Sequence, residues 1–193
     1  MVQKAKNARA RFQSAALALF EERGVSGTTV SEIAARAQLT ERTFYRYFSD
    51  KREVLFWRAD EFQSRVVAAV ERGAGNRSPL ALVIGALEAV SDFFDGDRVT
   101  VKRRMTIVAA HAECLEREML KMQTLTSAIR ATLEARGVDA LQARMASEVG
   151  VAVSRIALER WITDTTERDL AHHIQRSREE LDKVVLDGSC RTT

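Results

Sequence analysis

Residues 40–48, Thr-Glu-Arg-Thr-Phe-Tyr-Arg-Tyr-Phe, set a hydroxyl, a carboxylate, a guanidinium and a second hydroxyl in a row at the start of a short helix. Thr40 is a helix-capping type, so Glu41, Arg42 and Thr43 form the first turn. A helix laid in the major groove of duplex DNA meets base edges with that turn. Arg42, whose planar fork bonds a guanine twice, is the candidate specific contact, and the methyl of Thr43 suits that of a thymine. Glu41 either accepts from a cytosine amino group, orients Arg42, or simply favours the positive end of the helix dipole. Ser31 and Tyr45 are further base-contact candidates, Thr29 and Thr40 offer hydroxyls to phosphates, and Phe44 and Phe48 share an inward face.

Other reactive residues do not assemble. No phosphate-binding glycine loop, nucleophile elbow or HExxH helix occurs, and the adjacent His172 and His173 point to different helical faces. His111 and Cys114 have a metal-possible spacing but no evident third ligand. Cys114 and Cys190 lie far apart without a CxxC spacing, which fits a reducing cytoplasm. The chain is therefore expected to be no enzyme and to need neither cofactor nor metal.

The elements that must position these residues are helices. Of 193 residues, 46% are apolar and 30% charged, with 9 Gly and only Pro79 to break a helix, which all but excludes a β-sandwich. Apolar residues at 12, 15, 16, 19 and 20 predict a helix over about 7–23, ended by Gly24. Thr29 to Glu32 reads as a capping box opening a helix over about 29–36. A turn of about three residues leads to the helix capped by Thr40, the spacing of a helix-turn-helix. Asp50 caps a fourth helix, over about 51–72, and Gly73 to Pro79 is the evident linker. Five more helices are predicted at about 79–94, 98–112, 114–136, 139–163 and 167–186.

The net charge is +3, yet residues 1–59 hold 11 basic against six acidic side chains, a net +5. Such asymmetry hints at a polyanion-binding segment joined to a neutral one. Lys4, Lys6, Arg9 and Arg11 form a basic arm. The apolar run after it is too short for a signal peptide and enters Glu21-Glu22-Arg23, and no stretch approaches the ~20 residues that span a bilayer; a cytoplasmic protein without membrane contact is expected.

Thr28 to Leu55, TTVSEIAARAQLTERTFYRYFSDKREVL, resembles the DNA-binding segment of the TetR family of bacterial transcriptional regulators. Phe20, Gly24, Thr28, Thr29, Ile33, Ala34, Ala37, Tyr45, Phe48 and Lys51 stand where that family places such residues, and the match runs over about Phe12–Leu55. The resemblance implies that Tyr45, Tyr47 and Lys51 grip phosphates. Gln38 departs from it, standing where the turn usually has Gly, and must accept a left-handed backbone or a different turn.

The same resemblance implies a body that pairs its last two helices with those of a second copy, through Val149, Val153, Ile156, Trp161, Leu170, Ile174 and Leu181. It also implies an effector pocket, bordered by Phe62, Val66, Leu87, Phe93, Phe94, Met105, Val108, His111, Met119, Met122 and Leu125. Few of these are charged, which favours an apolar or weakly polar ligand. The expectation is an all-α chain of about nine helices. Residues 1–50 are a DNA-binding domain and 51–193 a ligand-binding and dimerisation domain. Its expected partners are a near-palindromic duplex, a second copy and a small molecule, most simply as a repressor released by that molecule; an activator, or a regulator controlled by another protein, is the alternative, and a helical enzyme or carrier the distant one.

Overall fold

A computed structural model describes residues 2–75, 77–94 and 97–186, with side chains from Asn7 to Val185. Among these residues there are nine α-helices, two 3₁₀ segments and no strand. Cys190 and the side chains of Lys4 and Lys6 lie outside them, as does Asn76 of the linker.

α1 (Val2–Arg23) buries Phe12, Ala15, Ala16, Leu19 and Phe20 on one stripe. It stops at Gly24, whose φ of +74° is a left-handed conformation that suits glycine and whose N–H still reaches Phe20 O at 2.9 Å. α2 (Val30–Arg36) and α3 (Glu41–Tyr45) follow, α3 giving way to a turn at Arg46 and Tyr47.

Beyond Asp50 the chain forms a 3₁₀ segment, Lys51–Phe56, and only from Ala59 the α-helix α4 (Ala59–Arg72), instead of one helix over 51–72. Val54, Leu55 and Phe56 are all buried, and three consecutive residues cannot share one face of a straight α-helix. α5 (Pro79–Ala89) is capped by Ser78 and ends before the 3₁₀ segment Ser91–Phe94. α6 (Arg98–Ala110), α7 (Ala112–Ala135), α8 (Ala140–Thr163) and α9 (Leu170–Leu186) complete the chain.

The chain divides into two compact units, but not at residue 50. The first joins the stretch up to Asp60 with Lys102–Leu120; the second joins Glu61–Val101 with the residues from Lys121 on. Ile107, Val108 and Cys114 enter the same core as Phe12, Leu17, Ile33, Phe44 and Val54, and this shared burial explains the return of α6 and α7 residues to the amino-terminal unit. Ion pairs rim that core. Arg103 holds Glu21 in a fork at 2.7 and 2.6 Å, Arg104 bonds Glu118 and Leu55 O, Arg52 bonds Glu113, and Arg117 bonds Glu53 and Asp50. Burial alone would push the Asp50 carboxyl up, but hydrogen bonds from Arg52 and the charges of Arg117 and Arg52 outweigh it and hold it below its usual range.

In the second unit α5 packs against α8 and α9, so closely that a Cβ on Gly150 would collide with Val83 Cγ1. Arg98 ties the α8–α9 loop by donating to the carbonyls of Asp164, Thr166 and Arg168, at 2.9, 3.0 and 2.6 Å.

Candidate nucleic-acid interface

α2 begins with the expected capping box. The Thr29 hydroxyl accepts from Glu32 N–H at 3.2 Å, while Thr29 N–H and Oγ1 both donate to Glu32 Oε2 at 2.9 Å. The backbone bond from Thr29, then its hydroxyl and the neighbouring Arg23, hold the Glu32 carboxyl below its usual range. The Thr29 hydroxyl is thus already occupied as donor and acceptor, beside an anionic group, which weakens its expected role toward phosphate.

The turn to α3 adopts the left-handed form: Gln38 has φ +52°, Gln38 N–H reaches Ala35 O at 3.0 Å and Leu39 N–H reaches Ala34 O at 2.9 Å. This is the paired-bond ending that glycine normally serves. Arg11 reinforces it, its Nη2 donating to Ala37 O at 2.5 Å and Gln38 O at 3.3 Å. Arg11 therefore binds a helix end, where a cation opposes the negative pole of the dipole, rather than extending as a basic arm.

Thr40 caps α3, accepting from Thr43 N–H at 3.2 Å, with the two hydroxyls 3.0 Å apart. Phe44 and Phe48 point inward against Phe12, with ring centroids 5.2 and 6.1 Å from it. That orientation leaves Glu41, Arg42, Tyr45 and Arg46 exposed, with Ser31 exposed on α2 and Thr43 half-buried. Among the described residues Glu41 and Arg42 make no side-chain hydrogen bond or ion pair, so their polar groups face solvent.

Two phosphate-grip candidates sit differently from expectation. Lys51 Nζ turns inward, to Thr28 O at 2.7 Å and Ser26 O at 3.5 Å, and so fastens the α1–α2 loop. Tyr47 is half-buried and flanked by two guanidiniums: Arg9 Cζ lies 5.2 Å and Arg46 Cζ 4.8 Å from its ring centroid, and Arg46 Nη2 donates to its hydroxyl at 2.9 Å. Arg46 was not among the sequence candidates, although its place between Tyr45 and Tyr47 was the available signal.

A model of the family described as bacterial regulatory proteins, tetR family, matches residues 13–56. The matched stretch holds the second half of α1 and all of α2 and α3, and it is in this stretch that the chain is similar to that family. The HTH-type transcriptional regulator TcmR of Streptomyces glaucescens is 36% identical over 75 residues, 39% of this chain and 33% of TcmR. The uncharacterised HTH-type transcriptional regulator YdgC of Bacillus subtilis is 32% identical over 107 residues, 53% of this chain and 55% of YdgC. The chain thus matches a third to about half of the length of these relatives. In fold it is similar to Thermus thermophilus FadR, a TetR-family repressor in complex with lauroyl-CoA (TM-score 0.53, 21% identity, 89% of this chain and 91% of that one). It is also similar to SmeT in complex with triclosan (TM-score 0.58, 20% identity, 88% and 89%).

The expected pocket residues divide between the two units. Val108 is buried in the amino-terminal core. His111 receives Val25 N–H at Nε2 (3.3 Å) and pairs through Nδ1 with Ile107 O (2.8 Å). Met119 is 65% exposed, and half-buried Met105 lies in the same unit. In the second unit Phe62, Phe93 and Phe94 form a cluster with ring centroids 5.1 to 5.3 Å apart, and Val66, Leu87 and Leu125 are buried and Met122 half-buried.

The residues expected on the pairing stripe divide by their burial within the chain. Val153, Trp161, Leu170 and Ile174 are buried within the chain itself, because α8 and α9 turn these faces toward one another and α5. Ile156 is 45% exposed, Val149 and Leu181 are half-buried, and Leu141 and Met145 extend the exposed face of α8. Among the described residues no three metal-ligating side chains gather, and none of the helices is long and apolar enough to cross a membrane.

Proposed function

We propose that the protein is a sequence-specific DNA-binding transcriptional regulator that reads its operator with Glu41, Arg42, Thr43 and Tyr45 of α3 and Ser31 of α2. The observation that carries this reading is the exposed first turn of a buttressed, capped recognition helix, with the Arg42 guanidinium unspent. Two copies associate through the outer face of α8, where Leu141, Met145, Val149, Ala152 and Ile156 recur at helical spacing. A near-palindromic operator then presents half-sites about 34 to 36 Å apart.

Release by an apolar or weakly polar ligand draws support from the triclosan complex of one neighbour in fold; the lauroyl-CoA complex of the other supports only an apolar chain, carried there on a strongly anionic group. The residues proposed to receive the ligand are narrowed to Phe62, Val66, Leu87, Phe93, Phe94, Met122 and Leu125. Selection from random-sequence duplexes, followed by titration of the winner against salt, tests the reading. A DNA reader yields a shared near-palindrome and affinity that falls steeply with salt; no enriched sequence, with no salt-dependent binding, defeats it.

A further inference from the structure

Apart from Arg58, which lies 5.9 Å from the centroid of the Trp57 ring, the arginines of the amino-terminal unit sort by partner. Arg23, Arg36, Arg52, Arg103, Arg104 and Arg117 each bond a carboxylate, and Arg11 bonds the carbonyls that end α2. Arg9, Arg42 and Arg46 bond neither, among the described residues. Arg42 is in the first turn of α3. Arg9 and Arg46 come from different helical segments to the same ring, that of Tyr47, which itself rests against the buried ring of Phe48 at 6.5 Å. Their guanidinium carbons are therefore at most about 10 Å apart, close to one Debye length in physiological salt, so each charge feels the other. Two like charges held together without a counter-carboxylate form a site of high positive potential, which draws an anion. Guanidiniums suit a tetrahedral oxyanion in particular, because their planar forks donate paired hydrogen bonds to two of its oxygens.

We propose that Arg9 and Arg46, positioned by Tyr47, form a two-guanidinium clamp for one DNA backbone phosphate at the edge of the recognition helix. This rests on the DNA-binding reading above and adds to it a site that carries no sequence information. Arg9, drawn back onto Tyr47, serves the backbone rather than reaching for bases. The aromatic ring holds both side chains before DNA arrives, so less of their freedom is lost on binding. Tyr47 here is a positioning residue, with the charges supplied by its neighbours.

The test is the binding of full-length protein to a labelled mixed-sequence duplex across a salt series, with a thermal melt of every variant. Counterion release gives a slope of log affinity on log salt whose magnitude drops by about 0.9 for each phosphate that the protein no longer neutralises. Arg9→Gln with Arg46→Gln should flatten that slope by about one unit per chain, at an unchanged melting temperature. Arg9→Lys with Arg46→Lys should keep the slope, because the charges remain. Tyr47→Leu should flatten it without removing a charge, which a purely structural tyrosine would not do, and Tyr47→Phe should preserve it. A wild-type slope in the double glutamine variant overturns the clamp while leaving DNA binding intact. Failure of the wild type to bind any duplex at low salt overturns the DNA-binding reading and the clamp with it.

Discussion

The guanidinium of Arg11 donates to the backbone carbonyl of Ala37 at 2.5 Å, joining the first helix to the end of the second one residue before the left-handed Gln38. Replacing Gln38 by Gly removes the side-chain cost of φ +52° and should stabilise the amino-terminal unit by about 0.5 to 1 kcal/mol in urea unfolding. Arg11→Met should destabilise it by about 1 kcal/mol, by removing the donor at a helix end. A less stable Gln38→Gly protein would show that the turn is unstrained and held by its side chain.

Arg42→Ala should relax base preference at one operator position and cost about 1 to 3 kcal/mol on the selected duplex. Binding to mixed-sequence DNA should change much less. Equal losses on both duplexes would remove Arg42 from the reading face.

Two isoleucines separate association from folding. Ile156 is 45% exposed and Ile174 only 1%. Ile156→Glu should give well-folded monomers by light scattering, with weakened operator binding. Ile174→Glu puts a carboxylate in a packed core and should unfold the second unit. A dimeric Ile156→Glu protein would send the search for the interface to another face.

Asp164 accepts from Thr166 Oγ1 and N–H and pairs with His173 Nε2 at 3.0 Å, and the Thr166 bonds chiefly, then His173, hold its carboxyl down to about 2 from 3.8. A lowered carboxylate stabilises the fold above its unfolded pKa, and that contribution is lost as pH falls through the folded one. Stability of the second unit should therefore decline between about pH 4 and pH 2 less steeply in Asp164→Asn than in the wild type. Parallel acid-unfolding curves for the two proteins would show that Asp164 is not linked to folding.

What the sequence made legible was local. The Thr29 and Thr40 caps, the end at Gly24 and the inward faces of Phe44 and Phe48 depend on neighbours within a few positions, and each stands as its spacing implied. The inward bonds of Lys51 and Arg11 were not legible, because their acceptors lie 23 and 26 residues away, at carbonyls that carry no side-chain signature. The stripes of α8 and α9 were too wide to show which part faces the same chain. Val153 and Ile174 turn out to be covered internally, whereas Ile156 is left bare. The pocket was drawn across α6 and α7 because nothing local marks Val108 and His111 as supports of the amino-terminal core.

Because that core is completed by Lys102–Leu120, specificity cannot be transplanted as a continuous amino-terminal cassette. A fragment ending at Asp60 would lack Ile107, Val108 and Cys114, and would leave Glu21, Glu53 and Asp50 without the cations of Arg103 and Arg117. A chimaera meant to carry the proposed DNA-reading surface into another protein must import both stretches, or else graft only the exposed residues of α2 and α3 onto a host that already has its own equivalent of the second stretch.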